Sequence, residues 1–452
     1  MEKQRYERPI IKKLETGMPN KFGMRTEYAP MTHIDGVSVK ELIKDYGSPL
    51  FVISENTIRA TVKKAKKAFT TRYPKVQFAW SYKTNYLDAV CRVFHQEGSW
   101  AEVVSGFEYK KAIANGVSGK KIVFNGPDKS EADLKMAIEN ESLIHIDHLD
   151  ELYSIIELTD TINKRPKVAI RVNMDTGIYP MWDRFGFNYE NGQAWDALNK
   201  IMRSGKIDLM GLHSHIGTFM LSASAYAIAA SKLADLAIGI EQKYNHTIKY
   251  IDMGGGFASK NTLKGSYLPG FDITPSFDDF AEAITTTLLN ANFKNGELPT
   301  LILETGRALI DEAGYLLGTV IANKRTSAGK RNTIIDAGVN LLFTSFWYDH
   351  KMTPAQPFTH YTETTQVFGP LCMNIDVIRE NIDLPLLNKG DHFVIHTVGA
   401  YNMTQWMQFI TLRPNVVMID ANGKVNLIRD KETMETFSSL EKVPEHLQKF
   451  EL

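Results

Sequence analysis

Short β-rich runs alternate with helical stretches from residue 76 onward, and this alternation constrains the fold more than any other feature of the sequence. The pattern is typical of βα units arranged around a parallel sheet. Eight β-rich runs occur, at residues 76–82, 100–104, 121–125, 143–147, 168–173, 209–215, 248–253 and 300–304. Eight alternating units favour a closed (β/α)₈ TIM barrel, although an open, doubly wound α/β sheet can give a similar count.

The pattern changes after about residue 314, where strands follow one another without regular helices between them. These strand-like runs lie at residues 315–320, 332–336, 365–368, 392–396 and 416–419. We therefore expect three parts: an N-terminal segment 1–47, a barrel 48–314 and a C-terminal β domain 315–452. The N-terminal segment has no βα unit of its own, so we expect it to pack with the C-terminal β domain.

Polar residues stand at the ends of six of the predicted barrel strands. Each has an ordinary interpretation by itself, because a lysine after a strand is usually solvated and consecutive glycines usually form a turn. Catalytic groups in a βα barrel, however, gather at the carboxyl ends of the strands. The residues concerned are Lys83, Glu102, Arg171, Asn173, His213, His215, Gly254, Gly255, Gly256, Glu304 and Arg307. Their joint placement predicts one polar site at one end of the barrel.

This set of groups matches what pyridoxal phosphate (PLP) requires of a protein. The cofactor needs an amine for its aldehyde, amides and a cation for its phosphate, a group stacked on its ring and a partner for its pyridine nitrogen. The sequence offers all of these, with Lys83 as the amine. His213 and His215 share one face of a strand and could form a metal pair instead. No third ligand of the right type is near them in sequence, so we expect no metal site.

Seven segments in combination resemble one enzyme family. They are 81–85 (SYKTN), 102–106 (EVVSG), 211–218 (GLHSHIGT), 254–256 (GGG), 304–307 (ETGR), 369–372 (GPLC) and 399–401 (GAY). They are similar to the motifs of the fold-type III PLP decarboxylases, the diaminopimelate, ornithine and arginine decarboxylase group, with a layout most like the diaminopimelate enzymes. The resemblance spans about residues 35–417 and implies an alanine-racemase-like barrel followed by a C-terminal β domain.

The resemblance implies a role for each segment. Lys83 would carry PLP, His215 would stack on its ring and Glu304 would face the pyridine nitrogen. The other implied cofactor contacts are Glu102, Arg171, Thr218, Gly254, Gly255, Gly256, Gly306, Arg307 and Tyr401. In the family, the cysteine segment enters the neighbouring subunit's active site. This implies a homodimer with shared sites, in which the C-terminal domain forms part of the interface and either Cys372 or Lys83 is the catalytic proton donor.

Two departures from the family pattern concern the substrate. The diaminopimelate enzymes usually follow the cysteine with Glu-Ser-x-Asp, whereas here the chain has Met373, Asn374, Ile375 and Asp376. They also carry an Arg-Pro pair where this chain has residues 343–346 (FTSF). A site without that carboxylate and cation binds a zwitterionic tail less well. We expect decarboxylation of another amino acid or derivative, with Met373, Asp376, Thr344 and Tyr348 as substrate-binding residues.

Three alternatives remain at this point. The first is an authentic diaminopimelate decarboxylase of lysine biosynthesis with an altered tail site. The second is a PLP-dependent racemase, although Glu304 argues against it because a racemase should weaken the pyridine-nitrogen partner. The third is an inactive regulatory homologue, which we would expect to have lost several of the cofactor contacts.

Composition excludes some partners and indicates a compartment. The 452 residues carry no formal net charge, so nothing electrostatic favours nucleic acid or an anionic membrane as a partner. Residues 1–13 lack the apolar centre of a secretory signal, and no apolar run is long enough to cross a bilayer. Two cysteines are too few for a disulfide framework. We expect a cytoplasmic enzyme with a small amino-acid substrate.

Overall fold

The chain enters the fold through a short hairpin and one helix. The computed structural model describes residues 29–358 and 361–448, so residues 1–28 of the predicted N-terminal segment lie outside the described residues. The first elements are β1 (His33–Ile34), β2 (Val37–Ser38), α1 (Val39–Tyr46) and β3 (Leu50–Ser54). The buried face of α1 packs against Leu317 and Val417 of the C-terminal part of the chain.

Eight parallel strands close into a barrel, which confirms the predicted fold class. In chain order the strands are β4 (Val76–Ser81), β5 (Trp100–Val103), β6 (Ile122–Phe124), β7 (Leu143–Ile146), β8 (Lys167–Asn173) with its short neighbour β9 (Phe187–Asn188), β10 (Asp208–His213), β11 (Tyr250–Asp252) and β12 (Thr300–Leu303). Closure follows from two pairings, β12 with β4 and β10 with β8. An open doubly wound sheet would lack one of them.

Helices connect the strands and cover the barrel. They are α2 (Glu55–Thr70), α3 (Asp88–Gln96), α4 (Gly106–Ala114), α5 (Glu131–Glu139), α6 (Leu149–Leu158), α7 (Gln193–Ser204), α8 (Ala223–Tyr244), α9 (Gly270–Ile273), α10 (Phe277–Asn290) and α11 (Arg307–Ile310). Local sequence fixes where several begin. The Ser276 hydroxyl accepts the Asp279 N–H, and the Asp279 carboxylate accepts the Ser276 N–H at 2.7 Å, so α10 starts there.

Contrary to the expectation that no apolar run is long enough to cross a bilayer, helix α8 passes a length and hydropathy test for a membrane span. Among the described helices it is the one that does so, and half of its most apolar window is buried inside the protein. It packs against α10. A core helix of a globular protein has the same properties.

A second sheet follows the barrel. It contains β13 (Gly314–Arg325), β14 (Arg331–Ile335), β15 (Met352–Pro354), β16 (Thr362–Phe368), β17 (Val377–Pro385), β18 (His392–His396), β19 (Val416–Ile419) and β20 (Val425–Arg429), and helix α12 (Met434–Ser438) comes after it. Short 3-10 helices lie at Tyr82–Thr84, Gly119–Lys121, Lys294–Gly296, Asp311–Ala313, Phe343–Phe346 and Glu445–Leu447. The sequence pattern did not predict β17, because charged residues interrupt the alternation of apolar residues along it.

Strand β3 belongs to the second sheet, although it falls within the range 48–314 expected for the barrel. It pairs antiparallel with β13 and parallel with β19. All five of its residues are buried. A buried apolar run does not indicate which strands it pairs with, so the sequence could not predict that β3 belongs to the second sheet.

An apolar layer fills one end of the barrel. It comprises Ala79, Val123, Leu143, Ala169, Tyr250 and Ile302, with one residue from each of six strands. Side chains along a strand alternate between faces, so the residues two positions further along each strand also point inward. They form the next layer, at the carboxyl ends of the strands, and this second layer is polar.

Candidate active site

The polar layer takes one side chain from each barrel strand. Its members are Ser81, Glu102, Asn125, His145, Arg171, His213, Asp252 and Glu304, and all except Arg171 are buried. A cavity of about 710 Å³ opens above this layer. The floor of the cavity is therefore unusually polar for a protein interior.

Lys83 stands in the 3-10 turn directly after β4 and points its amine into the cavity. Its Nζ lies 2.8 and 2.6 Å from the two carboxylate oxygens of Glu102. Burial lowers the pKa of Lys83, but the carboxylates of Glu102 and Glu304 outweigh it, so the pKa lies above its ordinary value. The C-terminal domain clamps this turn, because the Tyr401 N–H donates to the Thr84 carbonyl at 2.8 Å.

Glu304 is a fully buried carboxylate at the end of β12. Its Oε1 accepts a hydrogen bond from Asn125 Nδ2 at 2.5 Å, and His213 Nε2 lies 3.4 Å from its Oε2. Asn125 also donates to Glu102 at 3.1 Å, which links Glu304 to the Lys83 pair. A buried carboxylate with so few donors can hold a cationic N–H of a ligand.

Arg307 begins α11 and is buried beside the cavity. Its Nε and Nη1 make no hydrogen bond within the described chain, and its nearest carboxylate, Asp311, is 3.9 Å away. The guanidinium lies 4.6 Å from the Tyr401 ring and 5.1 Å from the Tyr348 ring. A buried, unsatisfied cation of this kind indicates a place for an anion.

The glycine loop packs backbone against backbone next to this cation. A side chain at Gly255 would meet the carbonyl of Glu304, and one at Gly256 would meet the carbonyl of Gly217. Gly256 also has φ 93°, a conformation that glycine adopts without strain. The Gly254 N–H already donates to Asp252, but the amides of Gly255 and Gly256 together with a buried arginine suit a phosphate group. With the amine of Lys83 and the carboxylate of Glu304, the described residues fit PLP.

His215 offers a flat, neutral ring beside the cavity. Burial, together with the positive charges of Arg171 and Lys83, lowers the pKa of His215 to about 3. Its ring is stacked with that of Trp182, with 5.6 Å between centroids and 9° between planes. An uncharged imidazole can stack on an aromatic ring without first losing a proton.

Most of the sequence-predicted cofactor residues come together here. The cavity is lined by Lys83, Glu102, Arg171, His215, Thr218, Gly256, Glu304, Gly306, Arg307, Tyr401 and the predicted substrate residue Tyr348. Gly254 and Gly255 lie directly behind it, against His215 and Glu304. Their roles toward PLP stay predictions.

The remaining predicted residues lie outside the cavity of this chain. Asp376 is buried, and its two oxygens accept the N–H groups of Val339 and Leu371 at 2.8 and 2.7 Å. The Thr344 hydroxyl contacts Asn402 and His350 at 2.9 Å each. Cys372 is exposed, and Met373 packs at the edge of the core. Within one chain these four residues are not positioned to reach a ligand at Lys83.

Sequence reasoning missed several residues of the site. Asn125, Tyr179, Trp182, Phe185 and Gln405 all line the cavity. Asn125 had a usable signal, because it stands two positions after the inward-facing Val123. Trp182 and Phe185 lie in a loop without periodicity, so no sequence pattern placed them.

His145, His213 and Glu304 also form a group whose ligand atoms lie within 4.8 Å of one another. Burial lowers the pKa of both imidazoles well below the ordinary value, so both rings are neutral. Glu304 Oε1 is already occupied by Asn125. We assign the cluster to the polar floor of the cavity, and the expectation of no metal site stays a prediction.

Comparison with known proteins extends these observations to the whole chain. A family model described as the pyridoxal binding domain of pyridoxal-dependent decarboxylases matches residues 56–311. The diaminopimelate decarboxylase of Methanocaldococcus jannaschii is 32% identical over 432 residues, 92% of this chain and 95% of the relative. That of Bacillus subtilis is 28% identical over 423 residues, 90% of this chain and 94% of the relative. A crystal structure of the M. jannaschii enzyme matches with a TM-score of 0.84 at 30% identity and covers 92% of this chain and 96% of that one.

The chain belongs to the fold-type III PLP-dependent decarboxylases, the family of the diaminopimelate, ornithine and arginine decarboxylases. It is an enzyme, a lyase that acts on amino acids, and its cofactor is PLP. Within that family it is similar over 92% of its length to a protein named diaminopimelate decarboxylase.

Proposed function

We propose that this enzyme removes the α-carboxylate of an amino acid or amino-acid derivative whose side chain lacks the zwitterionic end of diaminopimelate. The observation that carries this proposal is the wall of the cavity away from the polar floor. It is formed by Tyr179, Trp182, Phe185, Phe219, Leu263, Trp347 and Tyr348. Such a wall suits an apolar or aromatic tail better than a charged one.

The charged groups around the cavity already have other partners. Lys83 pairs with Glu102, and Arg171 lies 3.6 Å from Asp147 with its guanidinium 4.3 Å from the Phe185 ring. Arg307 is the cation for the phosphate. Asp376, the carboxylate retained after the cysteine, is bound to two backbone N–H groups. No pair of free opposite charges remains among the lining residues for a zwitterionic tail.

Different residues of this chain bind the cofactor and hold its ring nitrogen protonated. When bound, PLP accepts the electron pair that the departing carboxylate leaves at the α-carbon of the substrate. Lys83 holds the cofactor through its amine, while Arg307 and the glycine loop bind the phosphate. Glu304 opposes the positive charge of the protonated pyridine nitrogen and so keeps the proton there. The aromatic side chains lower the local dielectric around the site, which strengthens this pairing.

A proton must then reach the α-carbon, and Lys83 or Cys372 supplies it. Cys372 is exposed and outside the cavity of its own chain. We propose that it acts in the site of a second subunit, within a homodimer whose C-terminal domains form part of the interface. Tyr348, Tyr401 and Gln405 of the C-terminal part already line the cavity, so that part contributes to the site.

If Cys372 supplies the proton, mixing two variant subunits that are each impaired tests the shared site. Lys83→Ala and Cys372→Ala chains, unfolded and refolded together, should recover about a quarter of the wild-type activity, because hybrid dimers contain one intact site. Each variant refolded alone is the control. No recovery, together with a monomeric mass in light scattering, would exclude the shared site, and wild-type activity of Cys372→Ala refolded alone would remove Cys372 from the mechanism.

A second candidate function is diaminopimelate decarboxylation itself. The relatives compared above carry that name and match along almost their whole length. The replacement of Glu by Met373 and of the Arg-Pro pair within residues 343–346 argues against it. A cytoplasmic location stays a prediction, with support from two free cysteines.

Release of carbon dioxide from a panel of amino acids decides between these functions. We expect the highest kcat/KM for an L- or D-amino acid with an apolar, aromatic or modified tail, and weak turnover of meso-diaminopimelate. Lysine, ornithine, arginine and carboxylated polyamine intermediates complete the panel. Fast turnover of meso-diaminopimelate would overturn the proposed tail specificity, and an inverted amino acid without gas release would support a racemase.

A further inference from the structure

A second carboxylic acid lies beside Glu304 in the polar layer beneath the cavity. Asp252 ends β11 and is completely buried. Its Oδ1 accepts the Gly254 N–H at 2.8 Å, so it also fixes the start of the glycine loop. Its Oδ2 has no hydrogen-bond donor among the described residues. Asp252 and Glu304 stand at the ends of adjacent parallel strands, where Asp252 pairs with Ile302 and the Glu304 N–H donates to the Gly254 carbonyl at 2.8 Å, so their inward-facing carboxyl groups are neighbours and interact electrostatically.

Two neighbouring carboxylates in a low-dielectric interior cannot both carry a charge. Of the two, Glu304 has the better support for a negative charge. It accepts a hydrogen bond from Asn125, and the positive charges of Lys83 and Arg171 act on it. Asp252 has one backbone N–H and no cation, and the further acids around it are Glu102 and the Tyr250 hydroxyl.

The remaining groups that pack against the pair do not change this assignment. His213 and His145 are neutral because burial lowers their pKa values well below the ordinary one. Burial, followed by the charge of Glu304, raises the pKa of Asp252 well above its ordinary value. The proton therefore belongs on the unsatisfied Oδ2, which then becomes a donor.

We propose that Asp252 is a positioning residue that stays protonated, donates a hydrogen bond from Oδ2 to Glu304 and so holds one negative charge opposite the pyridine nitrogen of PLP. This inference rests on the proposed role of Glu304. Because Oδ1 anchors Gly254, one side chain connects the pyridine end of the cofactor site to its phosphate loop. No atom of Asp252 lines the cavity, so it acts through Glu304 and the loop.

Two substitutions separate the donor from the rest of the side chain. Asp252→Asn keeps an acceptor for Gly254 and places an N–H donor opposite Glu304, so it should rescue the function. Asp252→Leu has a similar branched shape, although it is larger, and carries neither group. Asp208→Asn is the matched control, since Asp208 stands at the far end of the neighbouring strand β10, half exposed and paired with Arg165.

Infrared difference spectroscopy of the holoenzyme tests the buried proton directly. At about pH 9, where Glu108 with its pKa of about 7 is ionised, the carbonyl band of a protonated carboxylic acid should be lost in Asp252→Asn and retained in Asp208→Asn. Retention of that band in Asp252→Asn would overturn the proposal, whatever the role of Glu304. Loss of the band is the expected result.

The protonation state of the cofactor is measured by nitrogen NMR of PLP labelled with ¹⁵N at its ring nitrogen. The nitrogen resonance should match the wild type in Asp252→Asn and move toward the unprotonated position in Asp252→Leu. The same variant should lower kcat roughly tenfold with little change in KM, the effect of losing one hydrogen bond in the reacting state. An unchanged resonance and kcat in Asp252→Leu would overturn the positioning role.

If Glu304→Gln also left the resonance unchanged, the proposed role of Glu304 would fail independently.

Discussion

Two regions contain polar residues that were predicted from the sequence to belong to the site. One is the barrel rim, the carboxyl ends of the barrel strands with the residues that follow them, such as His215 and Arg307. The other is the C-terminal loops around Thr344 and Asp376, and the hydrogen bonding of the two regions differs. At the rim, buried nitrogens of Arg307 and His215 have no partner within the described chain. In the C-terminal loops, both oxygens of Asp376 and the hydroxyl of Thr344 bind other parts of the same chain.

This difference separates binding groups from structural ones. Leaving a buried polar atom unpaired is costly, so a protein tolerates it mainly where a ligand or ordered water completes the bond. A group whose bonds are all made inside the chain holds a loop in place. By this criterion the rim is built for a ligand, Asp376 holds the segment that carries Cys372, and Thr344 ties its own turn to His350 and Asn402.

The largest expected effect lies at the rim, at the residue that holds the cofactor. Lys83→Ala should reduce turnover at least roughly 1,000-fold, because both the linkage to PLP and one candidate acid are lost. Carbon dioxide release measures turnover, and borohydride reduction with mass spectrometry locates bound cofactor. The exposed Lys135→Ala is the control. Cofactor fixed by borohydride in the Lys83→Ala chain would show that another amine carries it.

The next effect concerns the unsatisfied cation. Arg307→Lys keeps the charge but loses the planar fork that lies between the Tyr401 and Tyr348 rings. It should weaken PLP binding by roughly 10- to 100-fold, measured as the Kd in a fluorescence titration of the apoenzyme. Arg325→Lys, at an exposed pair with Glu363, is the control. An unchanged Kd would mean that Arg307 does not bind the phosphate.

A substitution in the C-terminal loops should affect stability and leave substrate binding unchanged. Asp376→Asn replaces one acceptor oxygen with an NH2 group, which then faces a backbone N–H without a hydrogen bond. The free energy of unfolding should fall by about 1–2 kcal/mol and Tm by a few degrees, while KM stays within about twofold. Calorimetry and steady-state kinetics measure the two quantities. A KM raised roughly tenfold at an unchanged Tm would contradict the structural role and place Asp376 in contact with substrate.

The smallest expected effect is on the pH dependence of stability, and it comes from Glu108, a buried acid near Glu102. Burial, assisted by the charge of Glu102, raises the pKa of Glu108 from its ordinary 4.5 to about 7. A raised carboxyl pKa means that the folded state binds the proton more tightly, so stability is lost as pH rises through about 7.

Glu108→Gln does not titrate and should escape this loss. Relative to the wild type, its Tm should be higher by roughly 2 °C at about pH 8, and the gain should shrink at about pH 5. The exposed Glu131→Gln should show no such pH dependence. An equal gain at both pH values would exclude ionisation of Glu108 as the cause.

Much of the rim could be predicted because strand geometry determines it. Residues two apart on a strand share a face, so Glu102, His213 and Glu304 had to meet once eight strands closed. Asn125 and Asp252 follow the same rule but were not assigned to the site, because the family resemblance gave neither of them a role. Contacts across the C-terminal loops, such as that of Asp376 with Val339, depend on tertiary packing that no local pattern encodes.

Strand β3 sets an order of events during synthesis. The ribosome makes Leu50–Ser54 before any barrel strand, yet its two neighbours in the sheet, β13 and β19, emerge only after the barrel is complete. Until then this apolar segment has two unpaired edges, which makes it a site for misassociation with other chains. A chain cut after residue 314 would keep β3 without either partner, so the barrel cannot be cleanly excised at that boundary.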